Sequence, residues 1–171
     1  MVFITAEIGI NHNGDIALAK KLIDVAKTVG CNAVKFQKRT VEKVYSKEVL
    51  DTPRDSPWGT TTREQKNGLE FCKKEYDVIN EYCASDNIEW YASSWDIDSQ
   101  IFLRQYDLKH NKVASAMLTN KKLLQVIADE QKPTFISTGM STLDEIRTAV
   151  QIFRDNKCPF ELQHSNSSYP M

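Results

Sequence analysis

Histidine is scarce in this chain, with three among 171 residues, and no two stand at the H-x-H or H-x-x-x-H spacing that lets one element hold a metal. A self-contained metal centre is therefore not expected. The four cysteines, Cys31, Cys72, Cys83 and Cys158, form no C-x-x-C pair and lie far apart, which excludes a zinc ribbon and a small disulfide scaffold. They are expected as reduced, mostly buried thiols. Neither sign of charge dominates: 22 Lys and Arg face 23 Asp and Glu, interspersed along the chain without a block, so nucleic acid and an anionic membrane are poor candidate partners. No apolar run is long enough to span a bilayer. Met1 leads straight into Val2-Phe3-Ile4 with neither a basic leader nor a signal-type stretch, and the expectation is a cytoplasmic protein.

What is present is the composition of one soluble domain, 41% apolar and able to bury a sizeable core. Short β-rich runs alternate with amphipathic helical patterns, an order that gives a parallel sheet with crossover helices. Six strands are expected, at residues 3–10, 32–37, 89–93, 112–117, 134–137 and 160–164. Between the first two, Ile16, Ala19, Leu22, Ile23, Ala26 and Val29 recur at helical spacing, with Gly30 as the cap that follows. Ser141-Thr142-Leu143-Asp144-Glu145 opens another helix, with an apolar stripe Leu143, Ile146, Val150, Phe153. Shorter helices are expected over 99–106 and 121–129. From Thr40 to about Thr62 no period is visible, and a loop this long in a compact domain usually serves a site. The order fits either an open doubly wound sheet or a (β/α)8 TIM barrel, and both put their chemistry at the C-terminal ends of the strands. A full barrel typically needs about 250 residues, so a barrel reading leaves two βα units missing.

At those ends the polar residues converge. The first strand runs Ala6-Glu7-Ile8-Gly9-Ile10-Asn11-His12-Asn13-Gly14. A carboxylate inside a strand is costly to bury unpaired, so Glu7 is read as a salt-bridge partner for Lys35, as an acid–base group, or as both. His12 and Asn13 by themselves suit a turn. In Ala33-Val34-Lys35-Phe36-Gln37, Lys35 and Gln37 share one face, and a lysine so placed can be a Schiff-base amine or a phosphate clamp. Ser93, Ser115 and Ser137 lie at or just beyond three later strands, with Lys112 among them. Each serine alone would be an ordinary cap; hydroxyls and two lysines gathered on one face make an anion site. His164, in Leu162-Gln163-His164-Ser165-Asn166-Ser167-Ser168-Tyr169-Pro170, is either a hydrogen-bonded lining residue or a base or ligand.

These stretches, with Ser56-Pro57-Trp58-Gly59-Thr60-Thr61, Arg63-Glu64-Gln65-Lys66, Lys112-Val113-Ala114-Ser115 and Ser137-Thr138-Gly139-Met140, resemble the N-acetylneuraminate synthase family in order and over essentially the whole chain. The resemblance implies an α/β fold, a TIM barrel truncated to about six strands, with residues 1–171 as the N-terminal part of a synthase barrel. Family members add a small antifreeze-like domain and act as homodimers in which one subunit's second domain caps the other's site. They condense phosphoenolpyruvate with an N-acetylhexosamine such as N-acetylmannosamine and release phosphate. A divalent metal, manganese or magnesium, polarises the sugar aldehyde, on histidines that lie beyond this chain.

Carried over by resemblance, Lys35 and Lys112 clamp phosphoenolpyruvate, joined by Ser93, Ser115, Ser137 and Ser167. Glu7 is the acid–base group, and Gln37 and Tyr169 face the amino sugar. Ser93 stands where many members have threonine, and Ser167 where some have asparagine. Met117 replaces a glutamate of the sugar wall, which suits another hexosamine, such as a legionaminic acid precursor. The expectation is a synthase part that is inactive alone. The alternatives are a non-catalytic phosphoenolpyruvate-binding or assembly module, or a related synthase for another sugar or sugar phosphate.

Overall fold

A computed structural model describes residues 2–167 of the chain. The strands and helices follow in the order β1 (Thr5–Gly9), α1 (Ile16–Thr28), β2 (Ala33–Lys38), α2 (Val41–Val44), α3 (Lys47–Leu50), β3 (Pro53–Ser56), β4 (Gly59–Thr61), α4 (Thr62–Leu69), α5 (Lys73–Ser85) and β5 (Glu89–Ser94). Then come α6 (Ile97–Leu103), β6 (Asn111–Val113), a 3-10 turn (Ser115–Met117), α7 (Lys121–Ala128), β7 (Thr134–Ser137), α8 (Leu143–Asp155) and β8 (Phe160–Gln163). Six strands form one sheet in the order β1-β2-β5-β6-β7-β8, and β3 and β4 form a separate hairpin. The pairs β1–β2, β5–β6, β6–β7 and β7–β8 are parallel. Strands in sequence order with helical crossovers are those of a (β/α)8 barrel cut to its first six strands. Among the described residues no helix is long and apolar enough to cross a membrane. Two compact units divide the chain, Met1–Tyr91 and Ala92–Met171.

In the first unit, β2 carries Ala33, Val34 and Phe36 with no solvent exposure, as a strand covered on both faces requires. Helix α1 buries Ala19, Ile23 and Ala26, and its N-terminus is capped by Asp15, which accepts from the N–H groups of Ala17 and Leu18. Val29, expected on the buried stripe, lies at the C-cap and is 71% exposed. Residues 40–62, expected to lack any period, hold two single-turn helices and the β3–β4 hairpin. A 13-residue helix, α5, that the sequence expectation omits packs Tyr76, Ile79 and Cys83 inward. A ladder of rings links these elements: His12 stacks on Phe71 at 3.9 Å, Phe71 meets Tyr76 edge-on at 6.4 Å, Tyr76 stacks on Trp90 at 5.7 Å, and Trp90 meets Phe36 edge-on at 6.4 Å. The Tyr76 hydroxyl donates to the Gln37 carbonyl at 2.7 Å.

The loop after β1 is closed from both sides. His12 Nδ1 accepts from the Gly14 N–H at 3.1 Å, while the ring donates to the Gly9 backbone. The imidazole is thus a neutral tautomer with both nitrogens engaged. Gly14 lies in the left-handed region at φ 70, and a β-carbon there would come within 2.2 Å of the Gly68 carbonyl oxygen. Trp58, from the hairpin, covers Gly68 so closely that a β-carbon on Gly68 would meet its indole at 2.1 Å. The Ser56-Pro57-Trp58-Gly59 motif therefore fastens the hairpin to α4 and, through Gly68, to the β1–α1 loop.

In the second unit the core comprises Val113, Leu118, Leu123, Leu124, Ile127, Ile136, Ala149 and Phe153. Strand β6 is shorter than expected, ending at Val113, because Ser115–Met117 turns into a 3-10 helix. Met117 packs against that core. Leu143, expected on the buried stripe of α8, is 69% exposed, while Thr142 and Glu145 form a capping box at the helix start. Beside β6, a half-buried Glu130 gathers Gln100 Nε2 at 3.0 Å, Asn111 Nδ2 at 2.9 Å and Arg104 Nε at 2.8 Å, and Ser94 donates to Gln100 at 2.7 Å. That network ties β5, α6, β6 and α7 and fixes the strand bearing Lys112. Of the cysteines, Cys83 and Cys158 are buried, Cys31 is half-buried and Cys72 is exposed, so the expectation of mostly buried thiols holds for two of four. Burial, aided by Asp86, pushes the Cys83 thiol up to about 12, leaving it inert.

Three outcomes are expected. Gly14→Ala should destabilise by about 3 kcal/mol, combining left-handed strain with a clash. Gly30→Ala, at φ 84 with nothing within 4 Å of a new β-carbon, should lose only about 1 kcal/mol in urea unfolding. Burial, then the charge of Arg39, lowers the His12 pKa from 6.5 to about 4. The unfolded state consequently binds more protons between those values, so the stability from neutral His12 is complete above pH 6.5 and lost as pH falls towards 4. His12→Asn should flatten the drop in urea midpoint between pH 7 and pH 4.5; an unchanged pH profile would contradict this.

Candidate active site

Strands β1 and β2 pair with Glu7 opposite Lys35, and the register slips between Glu7 and Gly9. Lys35 is 5% exposed between Val34 and Phe36. Its ammonium lies 2.7 Å from the Glu7 carboxylate, with side-chain exposures of 6% for Lys35 and 57% for Glu7. The sequence places the costly burial on Glu7; the structure places it on Lys35, and the carboxylate meets solvent. Burial lowers the Lys35 pKa, the charge and hydrogen bond of Glu7 oppose that, and the charge of Arg39 adds to it. Gly9 lies between Glu7 and Gln37: a β-carbon there would stand 2.9 Å from Glu7 Oε1 and 3.4 Å from Gln37 Nε2. Glu7, Lys35 and Gln37 are thus brought together at the C-terminal ends of β1 and β2.

Sequence reasoning misses Arg39. Its side chain is 3% exposed and its Nε lies 2.5 Å from Glu70 Oε1, while Nη1 donates to the Tyr45 hydroxyl at 3.1 Å. Lys38 Nζ donates to the Phe71 carbonyl at 3.0 Å and lies 3.8 Å from Glu70. Glu70 therefore binds the return of the long excursion to the end of β2. The run Lys35-Phe36-Gln37-Lys38-Arg39 shows three cations in five residues, a signal of buried charge, but the carboxylate that answers it lies 31 residues on.

In the second unit, Ser93 is fully buried and stands in register with Lys112, which is 7% exposed. Lys112 Nζ donates to the Val113 carbonyl at 2.8 Å and to Ser137 Oγ. Ser115 Oγ accepts from the Gly139 N–H at 3.1 Å. A β-carbon on Gly139 would come within 2.6 Å of Ser167 Oγ and 2.9 Å of Ser115 Oγ, so both hydroxyls stand against the bare α-carbon. Lys112 with Ser93 and Ser137, and Ser115 with Ser167, are two polar groups at the C-terminal ends of β5 to β8. Met117, expected beside the sugar, packs on the core. His164 is exposed. Tyr169 lies outside the described residues. Among the described residues no group of three His, Cys, Asp or Glu side chains could hold a metal ion. These residues do not fit the divalent metal that the family resemblance implies.

Within each unit a buried ammonium is held by oxygen partners, Lys35 by the exposed Glu7 carboxylate and Lys112 by Ser137 and the Val113 carbonyl, a pattern that suits contact with an anion. Comparison with known proteins agrees with the sequence resemblance. N-acetylneuraminate-9-phosphate synthase of Drosophila melanogaster is 38% identical over 99% of the chain, which covers 46% of that protein. N,N'-diacetyllegionaminic acid synthase of Legionella pneumophila is 34% identical over 98% of the chain and 49% of that protein. The chain thus spans about half the length of these curated relatives. A crystal structure of N-acetylneuraminic acid (sialic acid) synthetase from Leptospira borgpetersenii superposes with a TM-score of 0.87 at 34% identity, over 99% of this chain and 56% of that one. Residues 22–171 match the NeuB family model, and the chain belongs to the NeuB family.

Proposed function

We propose that residues 1–171 are the phosphoenolpyruvate-binding, N-terminal part of the barrel of a nonulosonic acid synthase. In the reaction, C3 of phosphoenolpyruvate bonds to the aldehyde carbon of an open-chain N-acetylhexosamine. Water adds its oxygen at C2, and the C2–O bond to phosphate breaks, releasing inorganic phosphate. The observation that carries this reading is the burial of Lys35 and Lys112, each within reach of an oxygen partner at a strand end. Each lysine brings a positive charge to the end of its strand, which suits an anionic ligand.

In this reading Lys35 and Lys112 neutralise phosphoenolpyruvate, and Ser93, Ser115, Ser137 and Ser167 hydrogen-bond its phosphate and carboxylate. Glu7, exposed and paired to Lys35, moves the proton at the reacting centre. Gln37 and Tyr169 face the sugar. In this reading Lys35 needs no Schiff base, because its charge, paired with Glu7, is the useful property. In this reading a divalent metal would be held by residues other than those described here and would polarise the sugar aldehyde. The complete protein acts in the cytoplasm as a homodimer, a reading that family membership supports. A phosphorylated hexosamine is the second reading for the sugar, favoured by the 38% identical fly relative, an N-acetylneuraminate-9-phosphate synthase.

Two experiments test the proposal. The 171-residue chain should release no phosphate from phosphoenolpyruvate with manganese and either N-acetylmannosamine or its 6-phosphate. A chimera completed with the remainder of the fly relative should release phosphate with one of them. Release by the chain alone that requires both substrates would overturn the division of labour. Lys35→Ala and Lys112→Ala should each weaken phosphoenolpyruvate use roughly ten- to a hundredfold in the chimera, since each removes a charge-assisted hydrogen bond of about 1.5–3 kcal/mol. Near-normal kinetics in both would sink the clamp.

A further inference from the structure

Gln163 closes a line of polar contacts across three strands of the second unit. Strand β8 pairs with β7 so that Gln163 lies opposite Ser137. Ser137 Oγ stands 3.4 Å from Gln163 Oε1 and also receives the Lys112 ammonium. An ammonium can only donate, so the Ser137 oxygen accepts from Lys112, and the serine's single proton is directed to the Gln163 carbonyl. The glutamine backbone is held as well: its carbonyl accepts from the Thr138 N–H at 3.1 Å and from the Thr138 hydroxyl at 3.0 Å. Gln163 is half-buried rather than part of the hydrophobic core, so its carboxamide is not there to fill space.

We propose that Gln163 is a positioning residue: by taking the Ser137 proton it turns the serine lone pairs towards Lys112 and so sets where that ammonium stands for the anion. The inference rests on the reading of Lys112 and Ser137 as phosphoenolpyruvate ligands. Without the glutamine carbonyl, the serine hydroxyl rotates and competes with Lys112 for other acceptors. The ammonium then loses a fixed partner while keeping its charge.

The test is a double-mutant cycle, read by isothermal titration of phosphoenolpyruvate into the 171-residue chain and its Gln163→Met, Ser137→Ala and double variants. Methionine keeps the length of glutamine without the carbonyl. Gln163→Met should bind phosphoenolpyruvate about fivefold more weakly, the value of one neutral hydrogen bond. In the Ser137→Ala background the same substitution should change affinity less than about twofold, because its route of action is gone. Equal losses in both backgrounds, or no loss in either, would overturn the inference while leaving the proposed function standing. A parent chain that does not bind phosphoenolpyruvate would overturn both. Thermal unfolding accompanies each variant, and if Gln163→Met does not fold, Gln163→Asn, which withdraws the carbonyl by one methylene, runs the same cycle with the same expectations.

Discussion

The ion pair between Glu7 and Lys35, 2.7 Å apart, is the contact on which the first unit depends. An ammonium inside a parallel sheet would cost several kcal/mol without a partner. The carboxylate supplies one from the neighbouring strand, and only because β1 and β2 pair with these two residues opposite each other. A one-residue slip would turn Lys35 to the other face, away from Glu7, and set Val34 or Phe36 in its place. The pair also divides labour. Lys35 is shielded and held in place, while the Glu7 carboxylate meets solvent.

Much of the remaining structure keeps that register fixed. The ring ladder from His12 to Phe36 ties the β1–α1 loop to α5 and β2, and Tyr76 holds the Gln37 carbonyl. Trp58 closes over Gly68, which lies against Gly14, so the hairpin motif serves as a brace for the end of β1. Arg39 and Glu70 fasten the far end of the same excursion. The second unit repeats the principle with different parts. Lys112 is buried on the shortest class of strand in the sheet, three residues, and the Glu130 network on one side and Ser137 on the other compensate for how little of β6 is regular.

The strands were legible where apolar and β-branched residues run together, as in β2 and β7, and helix α1 where its stripe and caps agree. Glu7, Lys35, Gln37, Ser93, Lys112, Ser115 and Ser137 are legible as strand-end residues because a parallel sheet carries its C-terminal ends to one side, whereas Ser167 enters only through the family resemblance. The apolar positions of α5, Tyr76, Ile79 and Cys83, are spread among so many charges that the helical period is faint. The hairpin lacks alternation because most of β3 is exposed. Arg39 with Glu70, and Gln163 with Ser137, escape a linear reading because each pair forms only when segments 31 and 26 residues apart meet. Val29 and Leu143 continue their helical stripes in sequence but fall at helix ends, where the backbone turns and the side chain is carried into solvent.

The chain belongs to the NeuB family, and the proposed phosphoenolpyruvate site rests on two buried lysines, Lys35 and Lys112. The direct measurement is a crystal structure of the chain grown with phosphoenolpyruvate. Phosphate and carboxylate oxygens are expected at hydrogen-bond distance from Lys35 Nζ and Lys112 Nζ, with the Ser115 hydroxyl also engaged. Density for the anion elsewhere, with both lysines keeping only their protein partners, would contradict it.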